Sequence, residues 1–235
     1  MSGEDKIQKI VDEFWAKRNA LVSQHRQSGV QGGAARSGAH MTAVQNYVRG
    51  LFVEAGLPES SILNGSPSLP GFFRRSKSWD IVVVYKNTLV AAIELKSQVG
   101  SVGNNANNRI EEAMGNAIDL GTVQKNNGTF GDVPAWLGFV MVLEETAQTV
   151  SELRPLGNPT FPVDPIFESM TYSSQYQVAL SRFVSEGLYD AGWYLCTASN
   201  GDGSYGYSEP LATASHRTFE GLIKARVEYV LAVLG

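Results

Sequence analysis

From Trp79 to Lys96 the chain reads WDIVVVY, a short turn at Lys86-Asn87-Thr88, and then LVAAIELK. Alternate side chains of a strand point to opposite faces of its sheet, so strands this apolar on both faces have to be covered on both. A hairpin of this kind belongs in a sheet packed between helices, which makes the chain an α/β protein. Helical spacing supplies the covering layers. Ile7, Ile10, Val11, Phe14, Trp15, Leu21 and Val22 mark an amphipathic helix over 5–24. A second helix carries Met41, Val44, Tyr47, Val48, Leu51, Phe52 and Ala55 and stops at Gly56, before Pro58. Others are expected over 109–120 and 173–186, and a last one buries Phe219, Leu222, Ile223, Val227, Val230, Leu231 and Leu234. Two further strands are expected over 135–143 and 189–197. The segments 29–40, 60–71, 97–108, 126–128, 152–165 and 200–206, rich in Gly, Pro, Ser or Asn, read as loops and turns. With no internal repeat and no linker in 235 residues, one domain over 1–235 is expected.

Composition removes several classes of function. No run of about 18 apolar residues exists to span a bilayer, and the start, MSGEDKIQKI, is polar and mixed in charge, unlike a secretory leader. A cytoplasmic protein without a membrane partner is expected. Cys196, the single cysteine, makes neither an internal disulfide nor a multi-thiolate zinc site, and its apolar strand makes it core rather than nucleophile. The three histidines, His25, His40 and His216, include no His-x-Lys and no pair at metal-ligand spacing. The net charge of −4 hides an asymmetry: residues 14–110 hold eleven basic and four acidic groups, whereas residues 111–235 carry a net −9. Either the first half forms an electropositive face for a polyanion, or the clustering is chance that folding mixes.

The chemistry concentrates in the hairpin. If Tyr85 faces Leu89 across a three-residue turn, Asp80 lies opposite Glu94, and Lys96, two residues on, shares that face. Two carboxylates this close repel unless a cation or proton intervenes. Oxygen donors favour a hard ion such as Mg²⁺, with the Leu95 carbonyl as a further ligand. Such an ion polarises a phosphoryl oxygen and acidifies a bound water, which Lys96 can orient or deprotonate, or whose developing charge it can neutralise. The bland alternative is an ordinary Glu94–Lys96 pair at a strand end. Arg74, Arg75 and Lys77 precede the first strand as phosphate contacts or as a solvated basic turn, and Arg36 with His40 in the glycine-rich segment offer the same choice. Asn104, Asn105, Asn107, Asn108 and Arg109 follow the second strand. Asn reads adenine and Arg reads guanine, and both bind phosphate; otherwise the segment is a polar turn with Asn108 capping a helix. Glu111 and Glu112 suit the positive end of that helix, and either supports an ion site or a dimer contact.

WD-x13-ELK resembles the PD-(D/E)xK nuclease motif, with Trp79 where a proline often stands. The longer stretch from ELKSQVG through GNNANNRIEEAMGNAIDL, Glu94 to Leu120, resembles the type II restriction endonucleases related to XhoI. Gly121 stands where that family usually has an aromatic residue, a departure that bears on target recognition rather than cleavage. The resemblance implies a restriction-endonuclease-like core, a central mixed β-sheet flanked by helices on both faces. It implies a homodimer that cuts palindromic double-stranded DNA with Mg²⁺, leaving 5′-phosphates at a site like CTCGAG, and a cognate DNA methyltransferase in the same system. Asp80 and Glu94 would be metal ligands and Lys96 the catalytic lysine. Glu54, the one acid on the helix before the hairpin, matches a further catalytic glutamate by type and place; otherwise it is a solvated residue near a helix end. A less specific nuclease of repair or recombination, and a non-catalytic DNA-binding module, are the alternatives.

Overall fold

The computed structural model describes residues 3–28, 38–103, 105–155, 157 and 160–235. Arg36, with most of the glycine-rich segment, and Asn104 lie outside the described residues. In chain order the elements are α1 (Gly3–Ser28), α2 (Thr42–Glu54), β1 (Ser68–Pro70), β2 (Ser76–Ser78), β3 (Ile81–Tyr85), β4 (Thr88–Gln98) and α3 (Ala106–Asn127). They continue with β5 (Leu137–Glu145), the single-turn α4 (Ala147–Val150), α5 (Tyr172–Ser185), β6 (Ala191–Ser199), β7 (Tyr205–Ser208) and α6 (His216–Leu234). One five-stranded sheet has the order β3-β4-β5-β6-β7. Its inner strands β4, β5 and β6 run parallel, and β3 and β7 run antiparallel at the two edges.

The sheet separates two apolar layers, as the near-continuous hydrophobicity of its strands requires. On one face α1, α2 and α6 bury Phe14, Trp15, Val44, Phe52, Phe219 and Ile223 against Ile81, Ile93, Val140 and Trp193. On the other, α3 and α5 bury Ala113, Leu120, Tyr176 and Phe183 against Val82, Ala92, Phe139 and Met141. The α/β expectation, a central mixed sheet with helices on both faces, is met. Among the described residues, no helix is long and apolar enough to cross a membrane.

The hairpin turns more tightly than its sequence implies. Lys86 and Asn87 alone make the turn, at φ 47° and 61°, and Thr88 pairs with Tyr85. This is the two-residue geometry whose left-handed backbone matches the twist of the strands. It displaces Leu89 onto Val84, but a bulge at Val90 restores the pairing to Val83 with Ala91 and Ile81 with Ile93. Turn and bulge each shift the register by one residue in opposite senses, so at the far end Asp80 still meets Glu94. The buried Arg226 of α6 pins the bulge, its Nε donating to the Val90 carbonyl at 2.9 Å and Nη2 to the Pro134 carbonyl at 2.7 Å.

Four segments differ from expectation. The loop expected over 97–108 is shorter, because β4 runs on through Ser97 and Gln98 and α3 takes in Ala106, Asn107 and Asn108. Part of the loop expected over 60–71 is β1, which pairs with β2 as a short separate ribbon of mostly small polar residues without apolar alternation. The loop expected over 200–206 is a turn only as far as Ser204, because Tyr205 begins β7. Helix α3 continues through Asn126 and Asn127 and ends at Gly128, whose φ of 60° lets its N–H close on the Gln124 carbonyl.

Neither sheet edge is open along its length. At β3 the Leu63 N–H donates to the Val82 carbonyl at 2.9 Å and Ile62 bridges Val83. At β7 the Gln8 side chain donates to the Tyr205 carbonyl at 2.8 Å, and Trp15 stacks on the Tyr205 ring at 3.9 Å.

Candidate active site

The C-terminal half of β4 puts Glu94 and Lys96 on the α3–α5 side of the sheet, and the entry to β3 brings Asp80 beside them. Lys96 Nζ lies 2.5 Å from one Glu94 oxygen. The second Glu94 oxygen holds Lys77 of β2, whose ammonium also donates to the Ser78 carbonyl and lies 4.5 Å from the centre of the Trp79 ring. Asp80 Oδ2 accepts from the Leu95 N–H at 2.7 Å, and the Asp80 carbonyl accepts from Gln45 of α2 at 2.7 Å. On α3, Glu112 lies 3.4 Å from Lys96 and 3.1 Å from Arg109. Two carboxylates and two ammoniums thus share one end of the sheet, bordered by the Glu112–Arg109 ion pair.

Burial makes these charges interact strongly. Glu94 is 2% exposed, and a carboxylate so placed has to be paired. Burial, with the Glu94 charge next to it, raises the Asp80 pKa above the ordinary aspartate value, against the Leu95 N–H, Lys96 and Lys77, which lower it. Burial alone would weaken proton binding at Lys96, but Glu94 and then Glu112 outweigh it and hold the amine above the usual lysine value. Lys96 is therefore an ammonium here. Glu112, which its partial burial would raise, is lowered by Lys96 and Arg109.

The donor set fits a hard divalent cation. Asp80, Glu94 and the Leu95 carbonyl offer oxygen only, and both Glu94 oxygens already hold positive charge. Among the described residues no three His, Cys, Asp or Glu side chains gather as a cage. Backbone, water or phosphate oxygens would have to complete the coordination, as is usual for Mg²⁺.

The raised Asp80 pKa makes a prediction about stability without metal. Below the ordinary aspartate range the carboxyl is protonated in both folded and unfolded chains and costs nothing. As pH rises past it, the folded protein ionises a group that it binds protons to more tightly than the unfolded chain does, and stability is lost. Asp80→Asn keeps an oxygen for the Leu95 N–H and removes that cost. In EDTA at neutral pH the variant is expected to melt above the parent, with the gain fading toward pH 4; a lower melting temperature at neutral pH would refute the electrostatic account.

The other residues singled out in the sequence are placed as follows. Glu54 is exposed at the C-terminal end of α2, more than two turns beyond Gln45, and its described electrostatic neighbour is Tyr47. The structure does not bring it to Asp80 and Glu94. Arg74 is bound to Asp119 at 2.7 Å and to Asn116 at 2.8 Å, both on α3, while Arg75 is exposed beside it. Asn105 stands at the N-cap position of α3 without a side-chain capping bond, its amide donating instead to the Ser101 carbonyl, and Asn107 accepts from Gln175 of α5 at 3.0 Å. Asn108 is exposed on the first turn of α3, ahead of Arg109. His40 lies 2.8 Å from Ser97 on the opposite face of β4. Cys196 is buried with its thiol pushed up to about 12 by that burial, so it is no nucleophile.

Sequence reasoning took Lys77 as a phosphate contact or part of a solvated basic turn, and passed over Gln45. The ribbon that carries Lys77 to Glu94 has no hydrophobic period to reveal it, and Gln45 acts on a backbone carbonyl 35 residues away.

Residues 18–209 match the family model described as Restriction endonuclease XhoI. The chain is 34% identical over 192 residues to the type II restriction enzyme XhoI of Xanthomonas vasicola, covering 78% of this chain and 77% of that one. It is 33% identical over 185 residues to the type II restriction enzyme BstVI of Geobacillus stearothermophilus, covering 76% and 82%. To the type II restriction enzyme AbrI of Azospirillum brasilense it is 37% identical over 153 residues, covering 62% and 68%. No solved structure gives a significant match.

Proposed function

Because this chain belongs to the XhoI restriction endonuclease family, we propose that it cuts double-stranded DNA at a palindromic site, CTCGAG or a close relative. It works in the cytoplasm as a homodimer, with two-fold symmetry matching that of the palindrome. A cognate DNA methyltransferase protects the host's own sites. The observation that carries this reading is the meeting of Asp80, Glu94 and Lys96 at one end of the sheet.

In this reading water attacks the scissile phosphorus and the bond to the 3′-oxygen breaks, leaving a 5′-phosphate and a 3′-hydroxyl. Asp80, Glu94 and the Leu95 carbonyl would hold Mg²⁺, which would supply Lewis-acid polarisation of the phosphate and a more acidic water. The Leu95 N–H and Gln45 fix Asp80 through its carboxylate and carbonyl. Lys96, held by Glu94 and Glu112, supplies positive charge to the pentacoordinate phosphorus that forms as water attacks. Lys77 shields the other Glu94 oxygen. Arg75, Asn105, Asn107, Asn108 and Arg109 border this end as contacts for phosphates and base edges.

Digestion of unmethylated phage-length DNA with Mg²⁺ or EDTA, followed by sequencing of the ends, tests this. Discrete fragments with TCGA overhangs, only with Mg²⁺, are expected. Discrete fragments with other ends would retire the target and keep the mechanism. A smear would point to a less specific nuclease, and binding without cutting to a DNA-binding module.

A further inference from the structure

Phe72 and Phe73 stand at the tip of the β1–β2 ribbon, 47% and 70% exposed, with their rings edge to face at 5.1 Å. Leaving two adjacent phenyl rings in water forfeits the burial that aromatic side chains ordinarily gain on folding. The fold nevertheless fixes them there. Asp119 of α3 accepts from the Phe72 and Phe73 N–H groups, each at 2.8 Å, and from Arg74 Nε at 2.7 Å. Arg74 reaches on to Asn116 at 2.8 Å. Gly71 leaves room for this clasp, because a Cβ there would collide with the Asp119 carboxylate and the Arg74 carbonyl. The tip is thus a rigid outward knuckle rather than a stray loop.

Its position relates it to the cleavage centre. Four residues past Phe73, Lys77 of the same ribbon holds Glu94. Four residues of extended chain span at most roughly 14 Å, or about four base steps of a duplex at 3.4 Å each. The exposed Arg75 follows two residues after Phe73, while the negative charge of Asp119 is already engaged by its three donors. A narrow ribbon that carries apolar rings and an exposed guanidinium suits the groove of a duplex, where apolar side chains wedge between base steps and kink them.

Resting on the duplex-cleaving reading above, we propose that Phe72 and Phe73 form a wedge that stacks against or between bases of the bound DNA, within a few base pairs of the cut phosphate. The wedge makes recognition depend on how easily that step unstacks, so it reads sequence at bases without hydrogen-bonding to their edges.

The test uses the duplex carrying the site mapped by the phage digest, with 2-aminopurine placed singly at steps one to five from the cut. Binding is followed on a Lys96→Ala background in Mg²⁺, where cleavage is slow enough for the fluorescence to be read before the duplex is cut. Fluorescence is expected to rise at one or two adjacent positions and to stay flat when Phe72→Ser and Phe73→Ser are added. In the otherwise wild-type enzyme the same double substitution is expected to lower kcat/KM about tenfold or more, and Phe73→Trp in place of serine is expected to restore it. Because both rings are already exposed, the melting temperature should not move, which separates loss of the wedge from loss of the fold. Unchanged kcat/KM with an unchanged fluorescence pattern overturns the proposal. So does a serine variant that sediments as a smaller species while its fluorescence pattern persists, since the knuckle would then be a contact with a second copy. If the wild-type enzyme cuts no DNA, the duplex-cleaving reading fails and the wedge falls with it; that result shows in the parent before any variant is made.

Discussion

Replacing Lys96 by alanine is expected to slow single-turnover cleavage by about 10²–10³-fold while leaving duplex binding largely intact. The expectation follows from where the ammonium sits. It is mostly buried, paired with Glu94 at 2.5 Å and with Glu112 at 3.4 Å, and these carboxylates hold its proton more tightly than free lysine does. Charge fixed in advance at the reacting end of a strand acts on the transition state without further reorganisation. In the proposed reading it adds little to affinity, because Arg75, Asn105 and Asn107 are also proposed to contact the duplex. Gel-shift titration and single-turnover cleavage on the same duplex separate the two effects. A variant that cuts at nearly the wild-type rate would remove Lys96 from the mechanism, and weaker binding with normal cleavage of bound duplex would make it a phosphate anchor instead.

Arg226→Met is expected to cost about 2–4 kcal/mol of stability, lowering the melting temperature by roughly 5–15 °C, and to impair cleavage at temperatures where the variant is still folded. Methionine keeps much of the length and apolar bulk of the side chain but donates nothing. The carbonyls of Val90 and Pro134 would lose buried, charge-assisted partners. Val90 is the bulge residue, and the bulge is what returns β3 and β4 to the register in which Asp80 meets Glu94. A slip of one residue between these strands would send Glu94 to the opposite face of the sheet. Thermal melting and cleavage well below the transition are the measurements. Unchanged melting would show that the bulge needs no support from α6; reduced stability with full activity would show that the register is fixed elsewhere.

The hairpin illustrates what can be read from residues alone. Its two strands, their burial on both faces and the meeting of Asp80, Glu94 and Lys96 all follow from alternation and spacing. The assumed three-residue turn is replaced by a two-residue turn and a bulge, whose effects on register cancel. Nothing in KNTLV announces that compensation, because the bulge depends on an arginine 136 residues further along the chain. The β1–β2 ribbon was equally hidden, since its residues show no apolar period. With it were hidden the role of Lys77 on Glu94 and the clasp that draws Arg74 onto Asp119. Asn126 and Asn127 look like turn residues, yet the left-handed Gly128 sets the helix end. Long apolar segments report themselves in sequence, whereas contacts made through backbone groups of distant elements do not.

The covered sheet margins bear on assembly. Bare outer strands invite a neighbouring copy to continue the ladder, which is how many chains dimerise and how some grow into fibres. Here the segment around Ile62 and Leu63 occupies part of one margin, and the first helix shields part of the other. Strand-to-strand joining is therefore suppressed on both flanks. Two copies meeting around a palindrome would use helical and loop surfaces, leaving each sheet as a self-contained support for its own cleavage centre.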